Sequence, residues 1–377
     1  RLSSFFVAFP AVGGSIYSFS SADLSLICVL LFIFAIVGAH VSVFWRPIRL
    51  HGLSLITALT YLCAAIHKLN TGFMNMQSSC SLHALAQMGQ RWGMSFPPEV
   101  DPYIPWLTIA VELCLALSLG IRSRWYWLLA FGFHLPLVVT LAPAFGAVVL
   151  CGASAGLTGR DLVIIRRSFR THVWQWIGFA CAMMFIEALA GTSMLSVVQH
   201  VQVGWYALAC ALAFVGSGGA RVLGATRPWR MPLLWFLFCM TPYLGIQVQH
   251  TGAMLSNLRI DSKCHNSLLF SPDLVLQDQY IRLKHVRFGT DRWTKRKGIL
   301  EQGLWNEAAL FTMQKNWCVP WARPLSMSVV QNGEMIRIPD LCSEGALDFL
   351  SVWQRRLSGY QRFQKNLTQA CDQRCIH

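Results

Sequence analysis

Between Arg1 and Leu255 the chain has little acid and almost no lysine. That stretch holds six acidic and fourteen basic residues, and Lys68 is the only one of the fourteen that is not arginine. Charge is scarce throughout: 13% of the 377 residues are charged against 54% hydrophobic, and the mean hydropathy is +0.45. Such a balance argues against an ordinary water-soluble domain of this length and reads as a polytopic membrane protein. A glycine-rich phosphate loop, a His-Glu-x-x-His metal motif and a convincing Ser/His/Asp set are also missing. Their absence removes the usual sequence support for P-loop nucleotide chemistry, zinc proteolysis and serine hydrolysis. No internal repeat, low-complexity tract or long linker stands out.

What is present is a series of apolar runs near 24–44, 52–68, 104–120, 125–142, 172–191, 198–217 and 231–250, with a shorter run at 144–158 after Pro143. A bilayer crossing takes roughly 17–25 apolar residues, so the pattern predicts about eight transmembrane helices. Every second connection is arginine-rich: Arg46 and Arg49; Arg122 and Arg124; Arg160, Arg166, Arg167 and Arg170; Arg221, Arg227 and Arg230. The positive-inside rule places these loops in the cytoplasm, and the end of the 52–68 run, the loop to Tyr103 and the polar tail on the exoplasmic side. The formal net charge of +14 is therefore read as topology signals and not as a nucleic-acid site. Membrane lipids are the expected partners, with a peptide or protein substrate on the exoplasmic side.

Three regions are expected: 1–22, the remnant of an upstream segment with no well-formed signal peptide; 23–255, the membrane helices; and 256–377, a polar exoplasmic domain. The tail carries eleven acidic and seventeen basic residues. Tyr280 to Arg287 and Met327 to Val330 alternate as strands, and Asn332-Gly333 before Met335 to Ile338 marks a hairpin. Leu347 to Gln364 has helical spacing, and Ser81 to Trp92, with His83 and Arg91, reads as a short amphipathic surface helix. The fold class that follows is an all-α polytopic membrane bundle with a small α+β or β-rich exoplasmic domain. Arg292, Lys295, Arg296 and Lys297 form a basic run suited to solvent or lipid headgroups. Asn366-Leu367-Thr368 fits a glycosylation acceptor.

Cysteines divide along the same line. Cys28, Cys63, Cys114, Cys151, Cys181, Cys210 and Cys239 lie in apolar runs, as ordinary buried thiols do. Cys80, Cys264, Cys318, Cys342, Cys371 and Cys375 fall on the exoplasmic side, an even number that suits disulfides in an oxidising compartment. Cys371, Cys375 and His377 also have a metal-ligand character, but without a second matching cluster no metal site is predicted.

Lys68 is the candidate catalytic base. Arginine cannot be deprotonated in a protein, whereas a lysine in apolar surroundings is able to act as an amine base. It ends the 52–68 run beside His67, so an imidazole and an amine meet at one helix end. Ionisable groups inside apolar runs are functional candidates by default, which adds Glu112, His134, Glu187 and His250. The rival reading of Lys68 is an interfacial lysine that snorkels to headgroups.

The string Ala64-Ala65-Ile66-His67-Lys68-Leu69-Asn70-Thr71-Gly72-Phe73, with Leu119-Gly120-Ile121-Arg122 and Phe133-His134-Leu135, resembles the membrane domain shared with vitamin K-dependent gamma-carboxylase. Met254-Leu255-Ser256-Asn257-Leu258-Arg259 is similar to a feature of bacterial members of that superfamily, the horizontally transferred transmembrane domain proteins. The resemblance covers roughly 20–270. It implies Lys68 as the base for a quinol such as vitamin K hydroquinone, with oxygen and carbon dioxide as co-substrates and carboxylation of a peptidyl glutamate as the outcome. His67 is placed beside it in the catalytic pair, and Glu112, His134, Asn257 and Arg259 are expected to hold the cofactor. A multi-pass location in a bacterial inner membrane, or in the endoplasmic reticulum of a eukaryote, goes with it. His67 and Asn70 depart from the animal enzyme, which has a lysine and an acid there. The tail is also shorter than the region that binds a propeptide. Two other functions fit the composition: a non-catalytic lipid- or quinone-binding or transport module, and a membrane subunit of a thiol/quinone redox complex.

Overall fold

The computed structural model describes residues 50–140, 149–150, 152–190, 197–217, 230–244, 256–260, 264–274, 280–289, 294–306, 310–311, 313–314, 317–318, 325–331, 333–349, 371 and 375. The expected helix at 24–44, Cys28, Cys151, His250, the side chain of Glu187, most of the expected helix 347–364 and the Asn366 acceptor lie outside them. Contacts divide the chain into two compact units. Among the described residues, one holds 50–66 and Ser81–Cys239; the other holds His67–Cys80 and the residues from Met240 on.

In the first unit the described apolar runs and two stretches between them form helices: α1 (Leu50–Lys68), α3 (Cys80–Trp92), α4 (Ile104–Gly120), α5 (Trp125–Thr140), α6 (Gly159–Thr171), α7 (Val173–Ala190), α8 (Val197–Gly216) and α9 (Arg230–Met240), of which the end residues His67, Lys68, Cys80 and Met240 belong to the other unit, as does α2 (Thr71–Met74). Their core gathers Tyr61, Leu115, Leu119, Tyr126, Trp127, Ala130, Tyr206 and Ala213. Small residues let the backbones close up. A Cβ on Gly152 would overlap Thr57 Oγ1, and one on Gly204 would sit 2.9 Å from the Ala180 carbonyl oxygen.

The expectation of about eight transmembrane helices is overturned. Among the described residues one helix, Pro98–Gly120, is long and apolar enough to cross a membrane; the 3-10 turn Pro98–Tyr103 extends α4 to 23 residues. The other apolar stretches, Gly52–Lys68, Val173–Ile186, Val203–Gly216 and Pro232–Leu244, run only 10–17 residues. At 1.5 Å of rise per residue these fall short of the roughly 30 Å hydrocarbon layer. Hydropathy summed along sequence ignores where a helix breaks: the 231–250 run leaves α-geometry after Met240 for a 3-10 turn at Thr241–Leu244, which contains Pro242. A multi-pass location is not supported. The Arg160–Arg170 segment is likewise no loop. Thr158 and Asp161 build a capping box at the start of α6, and Arg160, Arg166, Arg167 and Arg170 are exposed along it.

The second unit is built on an antiparallel sheet of order β2-β1-β3-β4, with β1 Tyr280–Phe288, β2 Leu304–Asn306, β3 Leu325–Gln331 and β4 Glu334–Ile338. The strands and the hairpin fall where the alternation placed them, and Gly333 takes the left-handed conformation (φ +86°) that the tight turn needs. Ile281, Leu283, Val286, Met327 and Val329 form one buried cluster with Leu300 of α10 (Thr294–Gln302). The alternation did not reveal α10, which carries part of the basic run. Disulfides join Cys80–Cys375, Cys264–Cys371 and Cys318–Cys342. All six cysteines expected on one side are thus paired, and the two thiolates of the metal alternative are consumed.

Candidate functional site

The end of α1 is held by carboxamides. Asn70 is fully buried, and its side-chain nitrogen donates to the carbonyls of His67 (2.7 Å) and Ser256 (2.6 Å). Its oxygen accepts from the Phe73 N–H (2.8 Å) and from Asn266 Nδ2 (3.2 Å). One side chain therefore closes the last turn of α1 and caps the first turn of α2, serving both kinds of orphaned backbone group that helix ends leave. Asn266 in turn donates to the Asn257 carbonyl (2.7 Å) and accepts from the Arg259 N–H (2.8 Å). Asn257 adopts φ +55°, accepts from the Cys80 N–H (2.7 Å) and donates to the Ser78 carbonyl (2.7 Å). Gly72 fits beneath this cluster because a Cβ there would lie 2.9 Å from Asn266 Nδ2. Backbone bridges Asn70↔Ser267 and Ile260↔His265 complete the frame, and the Cys80–Cys375 and Cys264–Cys371 disulfides tie down its loops.

This frame explains why the chain has Asn70 where the resembled enzyme has an acid. A carboxylate would face the His67 and Ser256 carbonyl oxygens with no proton to offer, whereas the carboxamide satisfies both.

Within the frame Lys68 is 4% exposed, and its Nζ stands 5.8 Å from the centre of the Phe73 ring. His67 is fully buried, with Nδ1 3.0 Å from the Tyr243 hydroxyl and the two rings 5.3 Å apart. Phe270 stacks on Tyr243 at 4.0 Å. The end of α1 thus carries a buried amine over Phe73 and, one residue earlier, an imidazole paired with the Tyr243 phenol, on which Phe270 stacks. Chemically these groups are able to accept a proton and to pass one along a hydrogen bond.

Lys68, His67, Asn257 and Arg259 all belong to this unit, and Arg259 is 4% exposed on the ladder beside Asn266. Asn257 has both ends of its carboxamide on backbone groups. Glu112 and His134 belong to the other unit. Glu112 is buried on α4, and His134 Nε2 is hydrogen-bonded to the Tyr61 hydroxyl, which also lies 3.3 Å from that of Tyr126. No family model, curated protein or solved structure matches the chain. The carboxylase resemblance is accordingly carried by the quoted residues alone.

Sequence reasoning missed Tyr243, Phe270 and Asn266. Tyr243 lies 176 positions from His67, and no local pattern links them. Asn266 gives a fainter signal as a lone carboxamide two residues after Cys264. His83 lies on α3, the amphipathic helix expected at 81–92, and contacts Gln87 Nε2 at 2.9 Å.

Proposed function

We propose that the chain is an enzyme in which Lys68 acts as base toward the hydroxyl of an aromatic quinol, in the manner of the resembled carboxylase. The observation that carries the reading is the buried Lys68 amine over Phe73, at a helix end fixed by the Asn70 frame and one residue after His67, whose ring pairs with Tyr243. A lysine anchored for charge alone would gain more from headgroups or water, because burying an ammonium costs free energy that an exposed one avoids. Lys68 would take the proton. His67 and Tyr243 would orient the hydroxyl and carry protons between them, and Phe73, Tyr243 and Phe270 offer faces for a ring. A bound quinol would supply reducing equivalents for oxygen, with carbon dioxide and a peptide acceptor as the further substrates that the resemblance implies.

The chain works at a membrane in this reading, through Pro98–Gly120. A core helix would be mostly covered, but only 33% of this apolar window is buried, and Trp106, Leu107 and Leu117 point outward. Such a location suits an apolar quinol.

The test is oxygen-dependent turnover of reduced quinones by the purified chain, with product analysis for an epoxide. Lys68→Ala and Lys68→Arg should both abolish turnover, since neither offers an amine base. Full activity in Lys68→Arg would overturn the base assignment. Quinone binding without turnover in the wild type would leave a binding module in its place.

A further inference from the structure

The sheet of the second unit has one face in the core and another that is basic along β1, β3 and β4, with Tyr280 and Leu304 buried at its β2 end. Opposite residues in an antiparallel pair share a face, and successive residues alternate. Arg282 lies opposite Val330, Lys284 opposite Ser328, and Arg287 opposite Ser326. Ser328 also pairs with Arg337 of β4, and Val330 with Met335. Arg282, Lys284, Arg287, Arg337 and Met335 therefore share the face that Leu283, Met327 and Val329 do not use.

Arg287 is there only because the strand is irregular. It follows Lys284 by three positions, which in a regular strand would point it into the core. Between them the register shifts: three steps on β1 match two on β3, at His285 with φ +51°. The bulge sends Val286 inward, where its N–H donates to Glu301 Oε1 at 2.8 Å, and returns Arg287 to the outer face. Lys284, Arg287 and Arg337 are exposed and Arg282 half-buried. Among the described residues no acidic side chain shares this face, and none of the four cations is in an ion pair.

We propose that this face docks on a membrane surface rich in anionic phospholipid headgroups. Lys284 and Arg337 flank the central strand about 10 Å apart, two strand spacings, so they engage separate headgroup phosphates. Met335, 56% exposed on the same face, meets the apolar side of the headgroup layer. The aromatic that shares this face among the described residues, Tyr280, is only 5% exposed and offers no ring for stacking bases, which disfavours single-stranded nucleic acid. The chain also carries Pro98–Gly120, a helix able to enter a bilayer, so such a surface is at hand. The proposal does not depend on the Lys68 chemistry.

The experiment mixes the full chain with vesicles of zwitterionic lipid alone, or with about one third anionic lipid, at low and high salt, since screening separates the two conditions. Flotation reports association of any kind. Acylation of Lys284 and hydrogen exchange across Tyr280–Phe288 and Glu334–Ile338 report the face. The expected result is at least fivefold slower Lys284 acylation on anionic vesicles only, lost in high salt and in a Lys284→Arg/Arg287→Glu/Arg337→Glu chain read by exchange. A Lys284→Arg/Arg287→Lys/Arg337→Lys chain, with the charges kept, should retain the exchange protection and serves as the folding control. Flotation on both vesicle types with the face equally reactive would overturn the proposal while leaving membrane association through the helix intact. Protection by an acidic peptide or an RNA oligomer, and not by anionic vesicles, would also overturn it and assign the face to that partner.

Discussion

One buried polar cluster in each unit is satisfied in a different way. In the helical unit Tyr61, Tyr126 and His134 pair side chain to side chain, whereas in the tail unit Asn70, Asn257 and Asn266 bind backbone. Partners on side chains can be replaced together by apolar groups, leaving little unsatisfied. Backbone partners remain after any mutation, so each lost carboxamide strands buried carbonyl or amide groups. The tail frame is correspondingly the more brittle, although it carries the disulfides.

Asn70→Asp should break this contrast most severely. Two carbonyls lose their donor and face a carboxylate, and a loss of about 3–5 kcal/mol is expected, read as a collapse of thermal stability or of folded yield. A milder loss in Asn70→Asp than in Tyr61→Phe would refute the comparison. Next, a Cys264→Ser/Cys371→Ser chain should lose about 2–4 kcal/mol. Hydrogen exchange should accelerate across 256–267 and stay unchanged in Ile104–Gly120; equal acceleration in both would mean that the units do not unfold separately. Gly152→Val tests the helical unit's own device, since the added side chain runs into Thr57. It should cost about 1–3 kcal/mol, with exchange rising in α1 and not in β1. Smallest is Tyr61→Phe, which removes one hydroxyl and should cost about 1 kcal/mol by thermal or denaturant unfolding.

The outer surfaces differ as well. Trp106, Leu117, Trp174, Phe185 and Leu189 are more than half exposed on α4 and α7, while the tail sheet, Met335 aside, covers its apolar residues and exposes Lys284, Arg287 and Arg337. Hydropathy registered this asymmetry along the chain but not its geometry. It sums apolar residues without knowing where Pro242 ends a helix, and so counted about eight spans where the described residues hold one helix of sufficient length.

What the sequence determined by itself is local. Strand alternation in 280–287 and 327–338, the turn at Asn332-Gly333 and the amphipathic helix at 81–92 follow from neighbours a few positions apart, whose periodicity is set by backbone geometry. Lys68 stood out because it has no lysine companion before residue 256. Tertiary structure decided the rest: which cysteines pair across separations of 295 and 107 residues, that Tyr243 reaches His67, that Asn70 must be a carboxamide, and that a bulge turns Arg287 outward. Each depends on contacts between distant segments, and chain order places no limit on which distant groups come to share a hydrogen bond.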